Sequence, residues 1–176
     1  MRLFIAIDFN EETKSALFET ATELMRQANA GRIVPLDNFH LTLVFLGETE
    51  RLQQVQEAMT VACRAALTAP LQVRLRGIGS FPGHKGKGHT WWVGVEDNPV
   101  LTTLVATLTE ELRAAGFALE KRSYKPHITL ARAVHTSRPI TLNHPEIDFT
   151  TSTISLMRST LKTPHPLYRE LSTYHL

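Results

Sequence analysis

"NFHLTLVFLG" at residues 38–47 and "KPHITLAR" at residues 125–132 carry nearly the same word twice, His-x-Thr-Leu, 87 positions apart. Each copy sets a histidine at the head of an apolar run that otherwise reads as a buried strand. Side chains alternate faces along a strand, so residues i and i+2 share one. His40 and Thr42 therefore point one way, and Leu41, Leu43 and Phe45 the other. His127 and Thr129 stand in the same relation to Ile128 and Leu130. Each strand is predicted to bury its apolar face against a helix and to present an imidazole and a hydroxyl on the opposite face.

The flanking sequence repeats as well. "RLFIAIDF" (residues 2–9) reads as a strand, Asn10 as a helix N-cap, and Glu11 and Glu12 as first-turn acids that suit the helix dipole. Leu17, Ala21, Leu24 and Ala28 mark that helix's apolar face, and Gly31 is its expected stop. In the second half "TWWVGVE" reads as a strand, Asn98 as an N-cap with Pro99 in the first helical position, and Leu101, Leu104, Leu108, Leu112 and Ala115 as the stripe, ended by Gly116. The cap-to-histidine distance is 30 residues in one half and 29 in the other, which predicts two similar lobes about a pseudo-twofold axis. A further helix is expected over 51–67, its stripe Leu52, Val55, Met59, Ala62 and Ala66, with Cys63 beside it as a packing residue. "VPLDN" reads as a loop, "LQVRLRGIGSF" as a strand joined to "TWWVGVE" by "PGHKGKGH", and the region from about 147 onward as strands. Trp91 and Trp92 are expected on opposite faces, one core and one partly exposed.

Composition sets bounds on function. The chain has 176 residues, 43% hydrophobic and 20% charged, enough for a real core in one domain of two lobes. A net charge of +2 is too small to force nucleic-acid binding, though a local basic groove is compatible with it. A single cysteine excludes an internal disulfide and points to a reducing compartment. "MRLFIAIDF" is too short and too quickly acidic for a signal peptide, and no apolar run approaches the roughly 18 residues of a membrane span. A cytoplasmic monomer without membrane contact is the expectation.

If the two polar faces meet across a groove, two imidazoles and two hydroxyls surround one small volume. Near neutral pH a histidine pair can hold one neutral and one protonated member. The first takes a proton from an attacking water and the second gives one to a leaving oxygen. Threonine hydroxyls donate to nonbridging phosphate oxygens. The set fits phosphodiester cleavage or hydrolysis and demands no metal or other cofactor. A zinc site would need further ligands, for which Asp8 or His89 could be conscripted, but no supporting spacing is present. His84, His135, His144, His165 and His175 read as loop or edge residues.

With "RLFIAID", "NFHLTLVFLGE", "GIGSFP", "WWVGV" and "KPHITLAR" in these places, the chain resembles the 2H phosphoesterase superfamily, and within it the bacterial and archaeal RNA 2′,3′-cyclic phosphodiesterases, also called 2′-5′ RNA ligases. The resemblance implies an α+β bilobal fold over residues 1–176, each lobe an antiparallel sheet with outer helices, and a central groove holding the histidines. It implies metal-independent hydrolysis of RNA 2′,3′-cyclic phosphate ends to 2′-phosphates, with reverse ligation to a 5′-hydroxyl by the same groups. By position His40 would be the proton donor, His127 the proton acceptor, and Thr42, Thr129 and Arg132 the substrate-binding residues.

Arg132 lies five residues past His127, on the opposite face of a regular strand, so it reaches the groove only if the strand ends or bulges near Ala131; otherwise it is a surface arginine. Tyr124 and Phe4 read equally as base-stacking or packing residues, and Lys85 and Lys87 as RNA-backbone contacts or solvated charges. Two alternative functions stay open: the same chemistry on another small cyclic nucleotide or a 2′-5′ oligonucleotide, and an RNA-end binding module without turnover.

Overall fold

Two asparagine caps start the two helices that flank the repeated strands. In the computed structural model, which describes residues 1–66, 70–143 and 145–176, the Asn10 side chain accepts from the Thr13 N–H at 2.9 Å and that of Asn98 from the Leu101 N–H at 3.0 Å. Each satisfies one of the orphan donors of a helix N-terminus. The chain runs β1 (Arg2–Asp8), α1 (Glu11–Arg26), β2 (Ala30–Ile33), β3 (His40–Glu48), α2 (Leu52–Ala66), β4 (Leu71–Pro82), β5 (His89–Val95), α3 (Pro99–Ala114), β6 (His127–His135), β7 (Glu146–Thr151), β8 (Thr153–Thr160) and β9 (Leu167–His175). The expected end of the second helix at residue 67 and His144, read as a loop or edge residue, lie outside the described residues.

Two antiparallel sheets result, one ordered β3-β1-β8-β9 and the other β2-β6-β5-β4-β7. Read from the histidine strands outward, β3-β1-β8-β9 matches β6-β5-β4-β7 strand for strand, and only β2 has no counterpart. The lobes are nevertheless not sequence halves. The region expected as strands from about 147 is broken at Ser152, so that β7 completes one sheet and β8 enters the other. Helix α1 leaves β1 of the first sheet yet packs on β2, β6 and β7 of the second, while α3 leaves β5 and packs on β3. Leu17, Ala21 and Leu24 of α1 and Leu101, Leu104, Leu108 and Leu112 of α3 are buried in one continuous core with Leu41, Leu43, Ile128 and Leu130. Interleaving of this kind holds the two histidine strands in a fixed relation.

Helix α3 ends as its sequence predicts. Gly116 takes a left-handed φ of 82°, its N–H meets the Arg113 carbonyl, and the Phe117 N–H meets that of Leu112, the paired bonds of a glycine-terminated helix. Helix α1 departs from expectation: it stops at Arg26, capped by Gln27, before Gly31 is reached. Gly31 lies instead within β2, a strand not anticipated from "AGRI", which pairs with β6. Cys63 is buried beside the α2 stripe, and burial pushes its thiol up to about 11, which leaves it inert.

Candidate active site

The strands β3 and β6 touch where the sheets meet, and their polar faces open into one cleft of about 490 Å³. That volume lies within the roughly 300–1,000 Å³ typical of small-ligand sites. His40 and Thr42 from β3 and His127, Thr129 and Arg132 from β6 all line it. Their apolar neighbours Leu41, Leu43, Ile128 and Leu130 are buried on the far faces.

A bulge in each histidine strand decides which later residues join the cleft. On β3, Thr42 faces Ala6 and Val44 faces Ile5, so Leu43 is an extra residue. On β6, Thr129 faces Trp92 and Ala131 faces Trp91, so Leu130 is extra. Two consecutive side chains are buried at each bulge, Leu43 with Val44 and Leu130 with Ala131, and the alternation then resumes one residue out of phase. Arg132 thereby reaches the face of His127 and Thr129. The same shift carries Phe45 into the cleft, where regular alternation had placed it in the core; it is 48% exposed, with the Arg2 guanidinium 4.9 Å from its ring centre.

The two imidazoles are held alike. His40 Nδ1 lies 2.7 Å from the Asn38 carbonyl oxygen, and His127 Nδ1 lies 2.7 Å from that of Lys125. A carbonyl can only accept, so each Nδ1 carries the proton and each neutral ring keeps its lone pair on Nε2. Around this common frame the surroundings differ. The His40 ring packs between Phe4 (centroids 4.9 Å) and Tyr168 (5.2 Å, edge-on), and its Nε2 is 2.9 Å from the Thr42 hydroxyl. Burial holds His40 below its ordinary pKa; the Asn38 carbonyl and Asp8 oppose the shift, and Arg132 and Lys14 reinforce it. His40 on its own is therefore neutral at pH 7. The His127 ring meets Phe81 edge-on at 5.2 Å and lies 6.1 Å from Trp92.

The other expected residues fall in varied places. Phe4 is 3% exposed and serves as the floor under His40, not as an open stacking surface. Tyr124 packs against the core and its hydroxyl donates to the Thr42 carbonyl, so it bears on the site from behind. Trp91 packs against the core, while Trp92 lies over Gly79 beside Phe81. Lys85 lies within the hairpin turn at 84–86 and Lys87 follows it, and neither lines the cleft. Asp8 is paired with Lys14 at 3.0 Å, His89 is bonded to Ser80, and no group of three His, Cys, Asp or Glu side chains converges among the described residues. His165, expected in a loop or at an edge, lies in the β8–β9 loop and lines the cleft, as do Arg2, Arg32 and Tyr168, which sequence reading did not single out. For Arg2 a signal existed: it shares strand parity with Phe4. Tyr168 and His165 are brought in by the turn between β8 and β9, far along the chain from either histidine.

Comparison with known proteins adds relatives to this geometry. A family model described as the 2′-5′ RNA ligase superfamily matches residues 13–162. A Thermotoga maritima protein named RNA 2′,3′-cyclic phosphodiesterase is 33% identical, over 97% of this chain and 93% of its own length. One of the same name from Thermus thermophilus is also 33% identical, over 100% of this chain and 90% of its own. Among solved structures, E. coli LigT in complex with 3′-AMP superposes with a TM-score of 0.81 at 26% identity, covering 99% of this chain and 97% of that one.

Proposed function

The chain belongs to the 2′-5′ RNA ligase superfamily, and on that premise we propose that it hydrolyses RNA 2′,3′-cyclic phosphate ends to 2′-phosphates without a metal. The observation that carries this reading is the convergence of His40, Thr42, His127 and Thr129 on one cleft. The names borne by the Thermotoga and Thermus relatives point to the same reaction. In the proposed cycle the lone pair on His127 Nε2 takes a proton from water as the water oxygen bonds to phosphorus. The bond from phosphorus to the 3′ oxygen breaks, and that oxygen receives the proton carried by His40 Nε2. Thr42, Thr129 and Arg132 hold the nonbridging oxygens, where charge accumulates. His40 must bind a proton before it can act as donor, and the phosphate anion seated against it offsets the effect of burial.

The test is a short RNA with a 2′,3′-cyclic phosphate end, incubated in excess chelator, with the product phosphate located as 2′ or 3′. The expected result is a 2′-phosphate from the wild type and loss of activity by orders of magnitude in His40→Ala and His127→Ala. An inert wild type would refute the reading, and dependence on added metal would refute its metal-free form. The division of roles has its own test in a substrate whose 3′ leaving oxygen is replaced by sulfur, which departs without a proton. With His40 as donor, His40→Ala should regain activity on that substrate and His127→Ala should not; rescue of His127→Ala instead would exchange the roles.

A further inference from the structure

Arg32 and Arg132 stand directly opposite each other in the β2–β6 ladder, and both line the cleft. Like charges facing each other across two strands are destabilising, so this pairing calls for an explanation. A charge on an edge strand deters another chain from pairing with it, and that alone would account for Arg32, but not for its place opposite a second guanidinium. With Arg2 the cleft presents three guanidinium groups. No carboxylate is among its described lining residues, and none of the three arginines is in an ion pair among the described residues. The scissile cyclic phosphodiester carries a single negative charge and already has two threonines and two histidines about it. One substrate charge against three cations leaves a surplus that the proposed reaction does not use.

The position of β2 sharpens the point. It is the strand without a counterpart in the pseudo-twofold arrangement, and it places its arginine beside β6 alone. Arg132 bears on both ends of this region, since its charge acts on His40 and on Tyr168, where Arg2 acts as well. The guanidinium groups therefore flank the histidines from both sheets, Arg2 on β1 and the pair Arg32 and Arg132 on β2 and β6.

We propose that Arg32, opposite Arg132, forms a second phosphate subsite that takes the phosphate on the 5′ oxygen of the nucleotide bearing the cyclic end. This rests on the proposed function and narrows its substrate class. The preferred substrate carries a 5′-phosphate or an upstream phosphodiester; a bare nucleoside 2′,3′-cyclic phosphate fills only half the site. Arginine suits the task through its planar fork of donors, which matches phosphate oxygens in pairs.

Three substrates separate the possibilities: a nucleoside 2′,3′-cyclic phosphate, the same molecule with a 5′-phosphate, and a dinucleotide ending in the cyclic phosphate. The wild type is expected to prefer the second and third over the first by roughly 10- to 100-fold in kcat/KM, the range of one charge-assisted hydrogen-bonded contact. Arg32→Gln should collapse that ratio toward one, and Arg32→Lys should retain part of it. Arg32 is exposed, so neither change disturbs the core. A wild type without preference overturns the proposal, as does an Arg32→Gln variant that keeps the wild-type ratio, whatever its overall rate. A preference for the dinucleotide alone would overturn it too, by pointing to the added nucleoside instead of the phosphate. Turnover of none of the three substrates would instead bring down the cyclic phosphodiesterase reading itself.

Discussion

Replacing Thr129 by valine removes one hydroxyl and nothing else of consequence. Valine keeps the branched shape at Cβ and the strand preference of threonine. Thr129 lines the cleft on the face of His127, so the lost group is the one proposed to donate to a phosphate oxygen. A hydrogen bond to a charged oxygen contributes about 1.5–3 kcal/mol. At about 1.4 kcal/mol per tenfold, kcat/KM should fall roughly 10- to 100-fold. Thr42→Val makes a sharper case, because the Thr42 hydroxyl also lies 2.9 Å from His40 Nε2. Its loss leaves that nitrogen unpaired between Phe4 and Tyr168. An unsatisfied polar atom in such a place costs at least about 1 kcal/mol. A chain of this size then melts about 2–4 °C lower. Thr129→Val should therefore lose rate with little change in Tm, and Thr42→Val should lose both. Steady-state kinetics on an RNA with a cyclic phosphate end, beside calorimetry, reads the two effects. A Thr129→Val enzyme within threefold of the wild type would refute the assignment of its hydroxyl to the phosphate.

Other consequences can be checked separately. Burial holds His40 below its ordinary value of 6.5, so the native state binds fewer protons there than the unfolded chain. Its contribution to stability is fully present above that unfolded value and is lost as pH falls from it through the folded pKa. Urea unfolding from pH 5 to 8 should show this slope in the wild type and a flatter one in His40→Asn; equal slopes would contradict it. Gly79→Ala sets a Cβ 2.3 Å from the Trp92 ring, which must shift from beside Phe81 and His127. Overpacking of this kind costs about 1–3 kcal/mol, and both Tm and kcat/KM should fall; an unaltered enzyme would show that the Trp92 wall does not matter. Asn10→Ala deletes an N-cap and should cost about 1 kcal/mol in denaturant unfolding with kcat/KM retained.

Strand parity explains why so much of the site could be read from the chain. On any strand His-x-Thr puts two polar groups on one face, and the repeated caps at Asn10 and Asn98 imply the lobes. Parity misled at Phe45 for a physical reason. A bulge is settled by how two strands and the core accommodate each other, and nothing in "TLVF" or "TLAR" announces that Leu43 or Leu130 is the extra residue. Strand β2 was missed because "AGRI" contains one β-branched residue and a glycine, weak signals overridden by pairing with β6. The break at Ser152 escaped because alternation continues across it while the chain changes sheets.

Exact symmetry would serve this chemistry poorly. A donor and an acceptor must be in opposite protonation states, yet equivalent imidazoles would titrate alike. The repeat supplies the part that can be common: both rings donate an Nδ1–H hydrogen bond to the carbonyl two residues upstream, which leaves both Nε2 atoms free to exchange the reaction's protons. Difference comes from what each lobe adds. Tyr168, Phe4 and the Thr42 hydroxyl enclose His40, where burial disfavours its cation, so that the proposed donor takes up its proton only with the phosphate anion beside it. On the β6 side the additions are Phe81, Trp92 and the unmatched strand β2 with Arg32. The shared bulge shows the same division of labour. It brings position five past each histidine into the cleft, where one lobe places Phe45 and the other Arg132. One backbone device thus delivers an apolar ring on one side and a cation on the other. A nucleotide, with a base to stack and phosphates to neutralise, has that same two-sidedness. Exchanging the pair, Phe45→Arg with Arg132→Phe, should therefore leave the fold intact and cost more activity than either single change, since both sides would then meet the wrong part of the substrate.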